Sequence, residues 1–279
     1  MPFCKLFIAL LLLVSSQWAA ASYRIGVTIA RVDDNFMTYV RSGLEEAARK
    51  ENVQLQFEDA QGDVVRQINQ VQGFLSQKVD AVIVLPVDTA ATANMTRAAV
   101  EAKMPLVYVN RHPDERVLPK GVTTVASNDI EAGQLQMRYL AEKMGGKGTI
   151  ALIMGDLAQN STHDRSEGVK QVLKDYPGIK IVEQQTAEWQ RNKGMDLTSN
   201  WLLAGRTFDA IVANNDEMAI GAAMAPPWRC SRRARRRGKL QLWALTACLM
   251  AWRQSNVECW QPRCFKTRRP RRQQLCNRP

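Results

Sequence analysis

Ala81-Val82-Ile83-Val84-Leu85 is apolar at every position, with no alternation of polar and apolar side chains. Successive side chains of a strand point to opposite faces, so such a segment is covered on both, as in a parallel sheet flanked by helices. The sequence on either side keeps the rhythm that such a sheet requires. Before it come a strand over 24–29, a helix over 36–50, a strand over 53–57 and a helix over 64–77. Tyr39, Val40, Leu44, Ala47 and Ala48 fall on one face of the first helix, and Ile68, Val71, Phe74 and Leu75 on one face of the second. After it come a helix over 90–102, with Asp88-Thr89 as its capping residues, and a strand over 106–109.

A second βα series follows the proline- and charge-rich connector 112–121. Strands are expected over 122–126, 149–154, 179–184 and 210–213, and helices over 131–144, 163–174, 190–203 and from 216 to 225. Two consecutive series predict an α/β protein with two doubly wound parallel-sheet lobes, 22–126 and 127–225, around a ligand cleft. Gly145-Gly146-Lys147-Gly148 precedes a strand and reads as a helix-ending turn, not a phosphate-binding loop. There is no Gly-x-Ser-x-Gly elbow, and the adjacent Asp33-Asp34 fixes no acid/base separation. The expectation is a binding protein, not an enzyme, with no catalytic residues, no cofactor and no metal.

Charge divides the 279-residue chain into unlike pieces. Residues 1–225 carry 23 Lys and Arg against 26 Asp and Glu, whereas residues 226–279 carry 15 against Glu258 alone. The whole net charge of +11 therefore comes from the last 54 residues, which also hold five of the six cysteines and four of the seven tryptophans. The first 21 residues read as a secretory signal peptide: Lys5, the apolar stretch 6–14, then the small residues Ala19-Ala20-Ala21. The mature chain is therefore expected to be exported, and residues 22–225 contain no cysteine, so this part needs no disulfides.

In doubly wound sheets ligands bind beyond the carboxyl ends of the strands. Those ends carry Asp34, Asn35 and Phe36; Asn110 and Arg111; Arg165; Glu188 and Trp189; and Asn214, Asn215, Asp216 and Glu217. Carboxylates and amides accept from hydroxyls, Arg and Asn N–H groups donate to them, and aromatic faces pack on the C–H side of a sugar or cyclitol ring. Each residue alone has a plainer reading. Asp34, Asn35, Asn215 or Asp216 would suit a helix cap, Phe36 a helix core, Arg165 a pair with Asp164 or Glu167, and His112 and His163 ordinary loops.

The segments 25–36, 106–111 and 126–129, and above all Val212-Ala213-Asn214-Asn215-Asp216-Glu217-Met218-Ala219-Ile220-Gly221, carry a resemblance. They resemble the periplasmic substrate-binding proteins of ABC sugar importers, of the ribose/galactose/inositol type, over about 23–225. The resemblance implies a type I periplasmic-binding fold and a ligand site at Asp34, Phe36, Asn110, Arg111, Arg165, Trp189 and Asn215. Phe36 and Trp189 would sandwich the ring; Ala30 and Met37 stand where ribose binders have a serine and a further aromatic. It also implies a monomeric periplasmic receptor that closes about a hinge on a hexose, ribose or inositol and delivers it to an ABC permease in the inner membrane. A sensor coupled to a chemoreceptor is the alternative within the same fold.

The resemblance stops at Ala225. Pro226-Pro227 ends the helix, and Arg232-Arg233-Ala234-Arg235-Arg236-Arg237 opens a stretch without period. That tail is expected to be an out-of-frame reading of a GC-rich gene, leaving the α/β fold C-terminally incomplete and the product inactive. Read as native, it would instead be a basic module for nucleic acid or anions. An exported protein argues against a nucleic-acid partner.

Overall fold

A computed structural model describes residues 22–32, 35–115 and 117–225. The expected signal peptide, Asp34 and the basic tail lie outside the described residues. Eight strands alternate with seven helices there: β1 (Arg24–Ile29), α1 (Asn35–Glu51), β2 (Gln54–Asp59), α2 (Val64–Ser76), β3 (Ala81–Leu85), α3 (Thr92–Glu101), β4 (Leu106–Val109) and β5 (Val122–Val125), then α4 (Asp129–Lys143), β6 (Lys147–Met154), α5 (Asn160–Asp175), β7 (Gly178–Thr186), α6 (Arg191–Leu203), β8 (Ala210–Ala213) and α7 (Asp216–Met224). They form two parallel sheets, ordered β2-β1-β3-β4-β5 and β7-β6-β8. This is the expected α/β class. Strand 122–125, second-series by its rhythm, pairs with β4 and completes the first sheet.

The uninterrupted apolar run of β3 is explained by its position. Val82 and Val84 pack with Val71 and Phe74 of α2 and with Met95 and Ala99 of α3. Ile83 and Leu85 pack on the other face with Met37, Val40 and Leu44 of α1. Tyr108 of β4 is fully buried in the α2/α3 layer. Burial pushes its phenol up to about 12, despite the hydrogen bond with Thr96.

The second sheet repeats the plan. Ile150, Leu152, Ala210 and Val212 face α4 and α5, while Ala151, Ile153, Ile211 and Ala213 face α6 and α7. Each helix pair crosses where glycines let the backbones touch. A Cβ on Gly221 would lie 1.9 Å from the Arg191 carbonyl oxygen, and one on Gly133 would lie 2.1 Å from that of Arg165.

The glycine turn at 145–146 ends α4 as expected. The Gly146 N–H reaches the Ala141 carbonyl at 2.9 Å and the Gly145 N–H that of Glu142 at 3.1 Å, with both glycines at positive φ. Two local expectations are corrected. Asp88-Thr89 does not cap α3, whose N-cap is Ala91 without a side-chain bond. Asp88 instead accepts from Ala90 N–H at 2.8 Å, and Thr89 reaches across to the second sheet's loops. The helix expected to open at His163 starts three residues earlier, at Asn160.

Candidate functional site

The carboxyl ends of both sheets face one another, and their loops touch. After β3, Thr89 N–H donates to the Ala158 carbonyl at 3.2 Å, and Asn160 N–H donates to the Thr89 hydroxyl at 3.2 Å. Between these loops lie two adjoining cavities of about 150 and 520 Å³, which share Met37, Arg111, Trp189 and Glu217 as walls.

Phe36, Asn110, Arg111, Arg165, Trp189 and Asn215, six of the seven residues expected at the site, all line the smaller cavity. Phe36 is 38% exposed, so it is not a core residue of α1. Asn110 follows β4 with φ +69°, and the Arg111 N–H turns back to the Val109 carbonyl at 2.8 Å. This tight turn is of the γ type and strained for any residue but glycine. It sends the Arg111 side chain inward, where it is 8% exposed and donates to the Pro86 carbonyl.

Arg165 pairs with neither Asp164 nor Glu167. Its Nε donates to Asp129 Oδ1 at 2.8 Å and its Nη1 to the Asn214 carbonyl at 2.6 Å. That fixes the guanidinium 5.7 Å from the centre of the Trp189 ring, within range of a cation–π contact. Trp189 itself follows Glu188 in the left-handed region, at φ +65° and +51° respectively. For a bulky residue this is an outlier that the surroundings must enforce. The enforcing contacts are visible. Asn215 donates to the Trp189 carbonyl at 3.0 Å, and the indole lies so close over Gly155 that a Cβ there would sit 2.1 Å from it. Asn215 also caps α7 through Met218 N–H, so its capping and cavity-lining readings both describe it.

Two further lining residues are Glu217, one of the strand-end positions, and Gln159, which carries no mark in the sequence. Glu217 takes a two-pronged pair from Arg191, with both contacts at 2.8 Å, and a bond from Asn35 of the first sheet's side at 3.0 Å. Burial pushes the Glu217 carboxyl up, but the Arg191 and Asn35 donors more than reverse this and hold it below its ordinary value. Gln159 is buried at 4% exposure in a loop where sequence alone distinguishes no polar residue from its neighbours. Among the described residues, no group of three His, Cys, Asp or Glu could hold a metal ion.

His112, expected as a loop histidine, sits on a second contact between the two sides. Its Nε2 lies 3.0 Å from Asp164 Oδ2, while Nδ1 meets Asn160 Nδ2 at 2.9 Å and the Pro113 carbonyl at 3.1 Å. Asn160 also reaches Asp114 at 3.3 Å. Burial pulls the imidazole pKa down, but Pro113, Asp164 and the more distant Asp129 raise it overall. A histidine that binds its proton more tightly when folded stabilises the fold fully below its unfolded value of about 6.5. That contribution is lost as pH climbs through the folded value. The melting temperature of His112→Gln should therefore fall furthest below wild type near pH 6 and converge with it above about pH 8. An equal deficit at both pH values would contradict the assignment.

A family model described as a periplasmic binding protein domain matches residues 25–225. A protein of Rhizobium meliloti named for rhizopine binding is 47% identical over 222 residues, covering 78% of this chain and 71% of its own. A xylitol-binding protein of Mycolicibacterium smegmatis is 34% identical, over 72% of this chain and 57% of its own. Among solved structures, an ABC transporter solute-binding protein of Bacillus halodurans C-125 with bound myo-inositol is 34% identical. It aligns with a TM-score of 0.72 over 84% of this chain and 80% of that one. The matched region holds both parallel sheets and the loops that wall the cavities between them: the chain belongs to the periplasmic binding protein family.

Proposed function

We propose that this protein is a periplasmic receptor for a monosaccharide or cyclitol, which it delivers to an ABC permease by closing two lobes, 22–126 and 127–225, on its ligand. The observation that carries this reading is the smaller cavity. Its walls come from both sheets and combine aromatic faces (Phe36, Trp189), guanidinium donors (Arg111, Arg165) and amides (Asn110, Asn215). Such a set suits a neutral ring whose edge is hydroxylated and whose faces are C–H. Asp34 would add a carboxylate acceptor from the first lobe. Groups from both lobes can grip the ligand together only in the closed state, and that difference in affinity drives closure. The relative named for xylitol and the myo-inositol-bound neighbour support a polyol ligand.

The chain with the basic tail is expected to bind such ligands poorly. Calorimetric titration of the protein with its reading frame restored after residue 225, against myo-inositol, D-galactose and D-ribose, tests the proposal. At least one is expected to bind tighter than about 100 μM and to raise the melting temperature as its concentration increases. A cooperatively melting protein that binds none of the three would refute it. The proposal extends to the tail, read as a frameshift product: the family match ends at residue 225, where the charge balance changes. Resequencing the codons for 221–232 would show an inserted or deleted base; an intact reading frame there would refute this part.

A further inference from the structure

Gln159 makes two hydrogen bonds that run in different directions. Its Oε1 accepts from the Trp189 indole N–H at 2.7 Å, within the second sheet's loops. Its Nε2 donates to the Val87 carbonyl at 3.2 Å, in the loop after β3 of the first sheet. The side chain is 4% exposed, and its neighbours 158 and 160 both bond to Thr89, so the Val87 carbonyl and residue 159 are held in register by their flanks. A side-chain amide can accept at one end and donate at the other without carrying charge. Trp189 needs such support, because its backbone is left-handed. Its ring lies over Gly155, packs at the margin of the α6/α7-side core and has the Arg165 guanidinium 5.7 Å away, while the contact to Gln159 is a hydrogen bond to the indole N–H.

We infer that Gln159 is a positioning residue that couples the approach of the two sheets to the placement of the Trp189 ring. When the Val87 carbonyl arrives, it orients the amide, and the amide oxygen fixes the indole as a wall of the cavity. When the two sides separate, the amide loses that anchor and the indole can swing on its strained loop. The aromatic wall is therefore complete only in the closed arrangement. This inference rests on the polyol-receptor reading above for its consequence, but not for its geometry.

The test uses the full chain and the variants Gln159→Leu, Trp189→Phe and their combination, with Gln159→Met as a second apolar replacement should the leucine variant not melt cooperatively. The first readout needs no ligand. Acrylamide quenching of Trp189, taken as the difference between each protein and its Trp189→Phe counterpart, should rise at least about twofold when Gln159 is replaced, because the indole leaves its shielded position. The second readout is the myo-inositol affinity of the same variants made in the protein with its reading frame restored. Replacing Gln159 should weaken it about tenfold when Trp189 is present and less than about threefold in the Trp189→Phe background, where no indole N–H remains to be held. Unchanged quenching would overturn the inference. So would an equal loss of affinity in both backgrounds, since a purely structural amide acts without regard to the indole. If the protein with its reading frame restored binds no polyol, the receptor reading fails, while the quenching comparison still decides the role of Gln159.

Discussion

Replacing Arg165 with alanine should destabilise the protein by about 3–5 kcal/mol, the range for removing one partner from a buried ion pair. The reason lies in what stays behind. The Asp129 side chain is 1% exposed, and Arg165 is the cation that meets it, at 2.8 Å. Without the guanidinium, a carboxylate remains out of water with Ser127 as a weak donor at 3.4 Å. The Asn214 carbonyl also loses its donor. A melt of Arg165→Ala therefore measures mainly an uncompensated charge, and adding Asp129→Asn should recover a large part of the loss by removing that charge. If the double variant is as unstable as the single, packing around the missing side chain is the cause instead. The comparison matters for function, because a loss of sugar affinity in Arg165→Ala alone would mix a missing ligand contact with a displaced Trp189.

Gly221→Ala is expected to cost about 3 kcal/mol or more, although alanine is the better helix former. The added Cβ would meet the Arg191 carbonyl oxygen at 1.9 Å and the Met195 nitrogen at 2.9 Å. These are backbone atoms of α6, so no rotamer change relieves the overlap and the two helices must separate. Gly43 supplies the control. It lies within α1 with nothing within 4 Å of its Cβ position, so Gly43→Ala should stabilise by about 0.5–1 kcal/mol. Urea melts of the two variants should move in opposite directions. A shift of the same sign would mean that the α6/α7 contact is looser than the structure has it.

Pattern carried the fold further than the site. The two-sided burial of β3 was legible because five successive apolar residues leave no polar face, and the limits of β1, β3, β4 and β8 followed from equally sharp changes in polarity. The start of α5 was not legible, because Asn160, Ser161 and Thr162 are polar residues that a loop would carry as readily. Thr89 was misread for a related reason. Its type suits a helix cap, and nothing local indicates that its partners lie some seventy residues further along. That Phe36, Asn110, Arg111, Arg165, Trp189 and Asn215 would line one cavity was legible because the strand-end rule and the family resemblance fell on the same positions. Gln159 owes its placement to contacts between the two sheets, which no short-range pattern encodes; Glu217 was legible as a strand-end residue, but its pairing with Arg191 and Asn35 was not.

The first sheet takes all five of its strands from one uninterrupted stretch of chain, 24–125. Among the described residues β1 comes first, β2 and β3 then add on its two sides, and β4 and β5 extend the β3 edge outward. A polypeptide emerging from its amino end can therefore lay down each strand against one that already exists, before any residue of the second sheet is available. The second sheet grows in the same way, with β6 first and β7 and β8 on its two sides. Assembly order is thus written into strand order, and the cavity walls, which need both sheets, are the last part of the described chain to come into being.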